Sequence, residues 1–575
     1  MEIILDTKKI VAILTVFVLM AAGLVYLAVD EDEDTKPPRS TNYSVETDLD
    51  KMTWEDILEE ARGQTVKVAA LNDVGINAML DNLVVIAKNS YGINVVPTYV
   101  AGFAAASENY NKGDVLETAT ADIYWMSCAA YGYQNYTDLW WNADWQSKLP
   151  SSIYLKDDTN DLIAEFIGDE DGYVGNQVEY SGAQLMLAYN TACQDVALPY
   201  DVVKVIDGAT TKYYALKDNG TATANDACFD TADAAKNAPI GMSASTLKTF
   251  LTGLESAGKK FYYGLPSDYI ELLEFAQYYE KQVTYPFING SQYYVGYLFL
   301  TGAAYELEND GNGGFRKASD RATNVEKVNK VFSDAAAAEK SAIYIDDGVL
   351  KTYEGRLDYL IPYFDALDAV KSTNVSTKDG SNGYYNSANG VTDLNSMIVG
   401  KKGNTDIWSS ESIMLGMTTL QSITMRQTGT YVNTGIYALD TTTSETYCWT
   451  IGKNSSNKAA SLVLMEWFTG ISGQSQLLEI TGNPMNFDVE KYLNINGLDD
   501  GDYTVKSNGV IEFDDDVKDK RVVKDYNMYF GFIKKWAEDP EKKDQFVAPT
   551  TIAENCVVCS IAKYSAQLAL LQSAI

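Results

Sequence analysis

The chain contains no histidine in 575 residues. At an ordinary frequency of about 2%, roughly a dozen histidines would be expected in this length. Their absence excludes Ser-His-Asp and Cys-His nucleophilic mechanisms and every histidine-ligated metal site. The acidic runs 157–161 and 513–517 lack the alternating ligand spacing and glycine turn of a calcium loop. We therefore expect no catalytic residues, no metal ligands and no cofactor.

Positive charge is also scarce. Lysine and arginine number 45 against 79 aspartates and glutamates, which gives a formal net charge of −34, and only seven of the 45 are arginine. Nucleic-acid binding is excluded, because phosphate contacts need clustered lysine and arginine. The few guanidinium groups also argue against an oxyanion as ligand. An acidic surface is typical of a solvated, salt-tolerant protein, and it also attracts cationic ligands.

The six cysteines, at positions 128, 193, 228, 448, 556 and 559, do not reveal their disulfide connectivity. Cys556 and Cys559 form a single CxxC pair without a second such pair, which disfavours a zinc site. A redox pair, a structural disulfide and buried thiols all stay open for these residues.

A long apolar run lies near the amino terminus. Residues 10–29, IVAILTVFVLMAAGLVYLAV, contain no charge, and this length is enough to span a bilayer as a helix. Two lysines precede the run and five acidic residues follow it, which orients the amino terminus towards the cytoplasm. Because no small-x-small cleavage site follows, we expect residues 1–29 to be an uncleaved signal-anchor. Residues 30–52 then form an acidic, proline-containing tether, and a large domain lies on the extracellular face of the cell membrane.

After residue 53, apolar strand patterns alternate with helical patterns, which indicates an α/β protein. A chain of 575 residues exceeds one compact core, so we expect two lobes. The strand patterns are TVKVAAL (65–71), INVVPTYV (93–100), TADIYWMSC (120–128) and GAQLMLAYN (182–190). Residues 202–245 are polar and predict an insertion or a long surface loop.

Four segments, taken in order, resemble the extracellular solute-binding proteins of ABC importers, most closely the YnjB type, which is related to thiamine-, iron- and oxyanion-binding proteins. They are WEDILEEARGQTVKVAALNDVGIN (54–77), ADIYWMSC (121–128) with WNADWQSKLPS (141–151), YSGAQLMLAYNTA (180–192) and SSNKAASLVLMEWFTGISGQSQ (455–476). The resemblance implies a periplasmic-binding-protein-like fold of type II, in which two α/β lobes enclose a ligand cleft. It also implies that the closed form docks on the permease subunits of an importer.

The resemblance further implies how the chain is divided between the lobes. The first lobe comprises residues 53–183 and about 390–432, and the second comprises residues 184–389 and about 433–575. The segment 180–192 crosses from one lobe to the other. The chain after about residue 490 has no counterpart in the resemblance.

The positions that match the ligand loops of that family supply eleven candidate ligand-binding residues. They are Asn72 and Asp73 in the first loop, Trp125, Ser127 and Cys128 at the end of the third strand, Tyr180, Ser181 and Gln184 at the crossing, and Trp408, Ser409 and Ser410 on the return. Asp73 would repel an anion, so we expect a neutral or cationic small-molecule ligand. For the aromatic residues, packing in the core is the competing interpretation.

Two other functions fit the same sequence. A structural or adhesive cell-surface protein on this fold would have the same anchor and the same acidic surface. A carboxylate-based glycoside hydrolase would need two facing carboxyl groups about 5–9.5 Å apart, and sequence alone does not give such a distance. Ligand identity, glycosylation and oligomeric state stay open at this level.

Overall fold

The computed structural model describes residues 49–71, 74–100, 121–127, 141, 143–154, 177–191, 193–286, 293–338, 340, 342–346, 349–371, 384–385, 415–419, 434–453, 455–481, 487–506, 510–538 and 556–558. The predicted signal-anchor at residues 10–29 and most of the tether lie outside this part of the chain. Among the residues that are described, no helix combines the length and the apolar character that a membrane span requires.

The described residues contain twenty-one β-strands. They are β1 (Thr65–Leu71), β2 (Asn94–Val100), β3 (Ile123–Ser127), β4 (Gln177–Asn190), β5 (Gln194–Pro199), β6 (Val202–Asp207), β7 (Thr210–Ala215), β8 (Cys228–Phe229), β9 (Lys260–Leu265), β10 (Val283–Pro286), β11 (Leu307–Asn309), β12 (Phe315–Lys317), β13 (Ile343–Asp346), β14 (Val349–Thr352), β15 (Tyr384–Tyr385), β16 (Leu415–Thr419), β17 (Thr434–Tyr437), β18 (Thr442–Ile451), β19 (Tyr503–Val505), β20 (Ile511–Phe513) and β21 (Cys556–Val558).

The same part of the chain contains twelve α-helices. They are α1 (Trp54–Ala61), α2 (Val74–Ile86), α3 (Ala232–Lys236), α4 (Ala244–Ser256), α5 (Tyr269–Tyr278), α6 (Tyr293–Glu306), α7 (Arg321–Ala337), α8 (Leu360–Val370), α9 (Lys458–Thr469), α10 (Ile471–Thr481), α11 (Val489–Ile495) and α12 (Arg521–Glu538). Short 3-10 turns occur at Leu49–Lys51, Gln146–Lys148, Pro150–Tyr154 and Tyr353–Gly355, and a π turn at Ala87–Tyr91.

The start of α1 shows why the sequence forms a helix there. Thr53 caps the helix: its hydroxyl accepts from the N–H of Asp56 at 3.2 Å, and the Asp56 carboxylate accepts from the N–H of Thr53 at 2.9 Å. This reciprocal capping box satisfies two N–H groups that have no partner within the helix. Gly63, with φ +82°, follows the end of the helix, a conformation that glycine adopts without strain. The helix predicted at this position is confirmed.

The largest sheet orders its strands β15-β10-β16-β4-β18-β3-β1-β2, with β17 also paired to β4 and β21 to β18. Strand β1 runs parallel to both β2 and β3, whereas β18 is antiparallel to β3 and β4. Helices α1 and α9 contact each other, and α9 also contacts β1 and β18. The architecture is therefore mixed α/β, as the alternation of strand and helix patterns predicts.

Strand β4 has different partners along its two halves. Its residues from Gln177 to Gln184 pair with β18, whereas its residues from Leu185 to Asn190 pair with β16 and β17. The register between β4 and β18 skips Gly182, which makes a β-bulge immediately before the change of partners. One continuous strand therefore joins two parts of the sheet. This is the segment for which the family resemblance implies a crossing between lobes.

Helix α9 is buried on nearly all sides, because it lies between α1 and the sheet. Phe468 of this helix stacks on Trp449 of β18, with ring centroids 4.0 Å apart and an interplanar angle of 10°. Helix α9 and β18 thus lie beside the first strands of the chain, although the division expected from the sequence places residues after 433 with the second lobe. The division into lobes stays a prediction.

For residues 202–245 the sequence predicts an insertion or a long surface loop; the loop prediction is wrong for much of the segment, and the insertion stays a prediction. Strands β6 and β7 form an antiparallel hairpin inside a five-stranded sheet ordered β5-β9-β6-β7-β8. Asp207 pairs with Thr210, so Gly208 and Ala209 form a two-residue turn. Gly208 has φ +61°, and such turns favour glycine at their first central position. The lysine, threonine and aspartate content of the segment concealed this alternation.

The described residues from 487 to 530 form a small unit around their own apolar cluster. The cluster includes Phe487, Leu493, Tyr503, Ile511 and Val523, and is separate from the main core. It brings together α11, the β19–β20 hairpin and α12, and it contacts the rest of the protein through Tyr154 and Ile471. This unit accounts for part of the segment to which the resemblance assigns no counterpart.

Candidate functional site

The carboxyl ends of β1 and β3 lie at the same edge of the large sheet. The two strands are parallel neighbours in which Val68 pairs with Ile123 and Ala69 with Tyr124. Ligand sites of open α/β sheets form outside the carboxyl ends of the strands, where successive loops meet. The loop after β1 and the loop after β3 therefore begin side by side, as a shared ligand site requires.

A register row connects β3, β18 and β4. Ser127 of β3 pairs with Tyr447 of β18, which in turn pairs with Tyr180 of β4. In the next row, Thr446 pairs with Ser181, and on the far side of the bulge Ser444 pairs with Gln184. Four of the predicted site residues, Ser127, Tyr180, Ser181 and Gln184, are thus brought to one region at the end of β3.

Sequence reasoning missed the contribution of β18 to this region. Its segment TTSETY, residues 442–447, carries hydroxyl groups at five of six positions. That composition was a detectable signal. The sequence alone does not show which strands lie beside β18, however, because its neighbours β3 and β4 lie some hundreds of residues earlier in the chain. We add Thr446 and Tyr447 to the candidate residues.

Trp125 is placed in the core. Its side chain is 2% exposed, and its ring centroid lies 6.4 Å from that of Trp449, its partner across the β3–β18 pair. Trp449 is itself fully buried and carries the stacked ring of Phe468. The burial favours the competing interpretation of Trp125 as a packing residue, and its contact with ligand stays a prediction.

The other predicted site residues lie outside the described part of the chain. They are Asn72, Asp73, Cys128, Trp408, Ser409 and Ser410. Leu71 and Ser127, the last residues of β1 and β3, fix where the first two of these loops begin. No described strand or helix ends immediately before the third loop, which contains residues 408–410.

The strands around this region carry little charge, and apart from the exposed Lys67 of β1 what they carry is negative. Strands β3, β4, β16, β17, β18 and β21 contain no lysine or arginine, whereas Glu179 lies on β4 and Glu445 on β18. Four arginines of the described segments are engaged elsewhere: Arg316 with Glu308, Arg356 with Asp334, Arg521 with Asp525, and Arg321 with the carbonyl of Asp440. An anion would therefore find no cationic side chain on these strands.

The described residues include two free thiols and no cluster that could hold a metal ion. Among the described residues, no group of three or more cysteine, aspartate or glutamate side chains is arranged to hold a metal ion. Cys193 and Cys228 are free thiols, and burial raises the pKa of Cys193 to about 12, which keeps it protonated at neutral pH. The pairing of the other four cysteines lies outside this description.

The link between β17 and β18 is fixed to neighbouring helices. The N–H of Asp440 donates to the carbonyl of Ser267 at 2.7 Å, and Arg321 donates to the carbonyl of Asp440 at the same distance. The hydroxyl of Thr443, early in β18, donates to the carbonyl of Leu298 at 2.9 Å. The chain is thus anchored to α5, α6 and α7 immediately before β18 continues to the candidate site.

No family model matches the chain, and no curated protein matches its sequence. Solved structures that it resembles include three binding proteins. The cyclic alpha-maltosyl-1,6-maltose binding protein of Arthrobacter globiformis is 10% identical, with 88% of this chain and 92% of that chain covered and a TM-score of 0.42. The spermidine/putrescine ABC transporter substrate-binding protein PotD of Streptococcus pneumoniae is 10% identical, with 89% and 98% covered and a TM-score of 0.40. AttC of Agrobacterium tumefaciens, a periplasmic binding protein in an open unliganded conformation, is 10% identical, with 89% and 98% covered and a TM-score of 0.39.

Proposed function

We propose that this protein is an extracellular solute-binding protein of the YnjB type. In this proposal it has a two-lobed type II fold and is held at the cell membrane by its amino-terminal segment. It binds a small molecule between the lobes and presents it to the permease subunits of an ABC importer. Binding requires no covalent step, so the protein is not an enzyme, which agrees with the absence of histidine from the chain.

The observation that carries the proposal is the change of partners along β4. A strand that pairs with β18 up to Gln184 and with β16 and β17 from Leu185 onward belongs to two parts of the fold at once. Movement of one part relative to the other then has to bend this strand and the neighbouring β18. Ligand pockets commonly form where two such parts meet, and closure around a ligand uses a few residues at element ends as a hinge.

The composition of the crossing strands supports a neutral or cationic ligand. Hydroxyl-bearing residues Ser127, Tyr180, Ser181, Thr446 and Tyr447 occupy adjacent register rows. Hydroxyl groups both donate and accept hydrogen bonds, so such a site suits a polyhydroxylated or amine-bearing molecule. The two acidic residues of these strands oppose an anion and favour a cation.

A thermal-shift screen of the full-length chain in detergent tests this function. The panel contains mono- and disaccharides, thiamine, polyamines, short peptides, sulfate, phosphate and divalent metal ions. A ligand at a hundred times its Kd stabilises the folded state by about 2.7 kcal/mol, which raises the Tm by a few degrees. We expect one selective hit among the neutral or cationic compounds.

Variants locate the binding site once a compound is found. Tyr447→Phe and Ser127→Ala are expected to weaken binding at least about tenfold, a loss of about 1.4 kcal/mol. Tyr344→Phe is the matched control, because Tyr344 is an exposed tyrosine on the separate β13–β14 sheet. A panel without any hit, or release of a hydrolysed saccharide, would contradict the proposal. Ordered self-association without a hit would favour the structural or adhesive alternative.

A further inference from the structure

One edge of β18 is shared by two strands that come from opposite ends of the chain. Ser444 of β18 pairs with Gln184 of β4 and also with Val558 of β21. A strand residue has one neighbouring strand on each side, so β21 lies on the edge opposite β4. Further along β18, the same edge is occupied by β3, where Tyr447 pairs with Ser127. Strands β3 and β21 therefore follow one another along this edge.

The two strands run towards each other. Strand β3 is antiparallel to β18, whereas β21 is parallel to it. The last residue of β3, Ser127, lies opposite Tyr447, and the last residue of β21, Val558, lies opposite Ser444, three residues earlier in β18. At a rise of about 3.3 Å per residue, the two strand ends are roughly 10 Å apart. The carboxyl-terminal strand thus ends beside the candidate site.

Strand β21 is the strand neighbour of the first residues of β18. Within the described part of the chain, the ladder between β18 and β4 begins at Ser444, and Thr442 and Thr443 pair with β21 alone. The ladder with β21 covers three residues, against seven residues of β18 in the ladder with β4. Parallel pairing is also slightly less stable per residue than antiparallel pairing. The start of β18 is therefore held in the sheet by its weakest ladder.

The same two threonines connect β18 to other elements through their side chains. The hydroxyl of Thr442 donates to the carbonyl of Leu185, the first residue of β4 after its change of partners. The hydroxyl of Thr443 donates to the carbonyl of Leu298 in α6 at 2.9 Å. Both threonines are at most 1% exposed, and a buried hydroxyl group that loses its partner destabilises the structure. The position of these threonines therefore decides whether β18 stays connected to the far half of β4 and to α6.

We propose that β21 is a strap that holds the start of β18 against β4 and α6, and so restrains the crossing between the two parts of the large sheet. While β21 is paired, Thr442 and Thr443 keep both hydroxyl hydrogen bonds. When β21 separates from β18, these residues lose their only strand partner among the described residues, and the crossing gains freedom. The consequence for closure around a solute rests on the proposed function, but the strap itself is a property of the fold.

Hydrogen exchange in detergent, read by mass spectrometry at constant pH, tests the strap without any solute. The full-length chain is compared with a chain that ends at Asn555 and so lacks β21. In the shortened chain, a peptide covering 440–446 is expected to exchange at least about tenfold faster, and a peptide covering 185–190 at least about threefold faster, because the opening is local to the crossing. A peptide from the β19–β20 hairpin, which belongs to the separate apolar cluster, should change by less than about twofold.

Two proline variants test the pairing without shortening the chain. Successive residues of a strand direct their N–H groups to opposite sides, so only one of Val557→Pro and Val558→Pro removes a hydrogen bond to β18. That variant should reproduce the exchange profile of the shortened chain. The other should resemble wild type, because proline is tolerated where the N–H group faces away from the neighbouring strand.

Thr443→Val keeps the backbone ladder and removes only the hydroxyl bond to α6, so it should speed exchange of the 440–446 peptide less than the shortened chain does. Its matched control is Thr504→Val, at an exposed threonine of β19. The strap is overturned if the shortened chain leaves the 440–446 peptide unchanged, if the 185–190 peptide does not follow it, if the two proline variants are indistinguishable, or if all peptides change together. Because no solute is present, none of these outcomes depends on whether the protein binds one.

Discussion

The carboxylate of Asp122 accepts a hydrogen bond of 2.7 Å from the hydroxyl of Ser455, 333 residues further along the chain. The same carboxylate accepts from the side-chain amide of Asn457 at 3.1 Å and from the backbone N–H of Lys67 at 2.8 Å. Asp122 is 6% exposed and begins the segment that leads into β3. One buried side chain thus joins β1, the start of β3 and the loop before α9.

Removing either partner of this hydrogen bond should destabilise the protein. We expect Ser455→Ala to lower the free energy of unfolding by about 1–2 kcal/mol and Asp122→Ala by about 3 kcal/mol, because buried polar groups lose their partners. In the double variant the two effects should not add, with a coupling of about 1 kcal/mol or more. Urea unfolding measures all three values.

Ser456→Ala is the control for that series, since Ser456 is exposed and its hydroxyl meets the network through a long, exposed hydrogen bond of 3.5 Å from Asn457. It should change the free energy of unfolding by less than about 0.5 kcal/mol. Equal losses for Ser455→Ala and Ser456→Ala, or strict additivity of the Asp122 and Ser455 variants, would show that the bond contributes nothing specific.

The Asp122 network also shows why part of the fold could be predicted. The motifs ADIYWMSC and SSNKAASLVLMEWFTGISGQSQ are far apart in the sequence, and the structure brings the first residues of both together. The capping box of α1 and the strand patterns of β1 to β4 are local signals, because each depends on residues within one turn or one strand. Gly182 within a strand pattern also predicts a bulge of the kind observed in β4.

The remaining features depend on contacts between distant segments. The hydroxyl-rich β18 becomes part of the candidate site only because it inserts between β3 and β4, and no local pattern specifies that order. The family resemblance predicts Trp125 as a ligand contact because its position matches a ligand loop, whereas the structure packs it against Trp449 on another strand. The hairpin of β6 and β7 is hidden by polar residues, although Gly208 in its two-residue turn is readable in the sequence.

Glu466 of α9 should make the stability of the protein depend on pH. Its carboxyl group accepts from the N–H of Ser151 at 3.0 Å and from the Ser151 hydroxyl at 2.7 Å. Burial raises its pKa to about 7, although the two bonds from Ser151 oppose the rise. A pKa raised above the unfolded value means that the folded state binds the proton more tightly. The contribution of Glu466 to the free energy of unfolding is therefore greatest below about pH 4.5 and is lost as the pH rises to about 7.

Glu466→Gln should remove that loss, so the difference in the free energy of unfolding between variant and wild type should grow from pH 5 to pH 7 in favour of the variant. Chemical unfolding at several pH values measures it. Glu490→Gln, at an exposed glutamate of α11, is the control for a change of surface charge and should show no such trend. A constant difference between Glu466→Gln and wild type across this range would contradict the assignment.

Gly264 in β9 is required by the close approach of β5. A Cβ atom at this position would lie 1.7 Å from the carbonyl oxygen of Pro199 and 2.3 Å from its carbonyl carbon. Both are backbone atoms, so the strands would have to move apart. We expect Gly264→Ala to lower the free energy of unfolding by about 3 kcal/mol, as severe overpacking does.

Gly253 provides the opposite case in the neighbouring helix α4, because a Cβ atom there meets nothing within 4 Å. Gly253→Ala should stabilise the protein by about 0.5–1 kcal/mol through the higher helix propensity of alanine. Thermal unfolding of the two variants therefore shifts the Tm in opposite directions. Similar shifts for both would mean that β5 and β9 do not approach each other as closely as described.

The last prediction separates the two interpretations of Trp125. Because its side chain is 2% exposed and packs against Trp449, Trp125→Ala should lower the free energy of unfolding by about 3–5 kcal/mol. Phe468→Ala removes the other aromatic neighbour of Trp449 and should have an effect of similar size. With the solute identified by the screen, isothermal titration well below both Tm values should give a Kd within about twofold of wild type for each variant, a difference below about 0.5 kcal/mol. Loss of affinity in Trp125→Ala but not in Phe468→Ala would instead return Trp125 to the ligand site, and would require the β3–β18 pair to open when the solute binds.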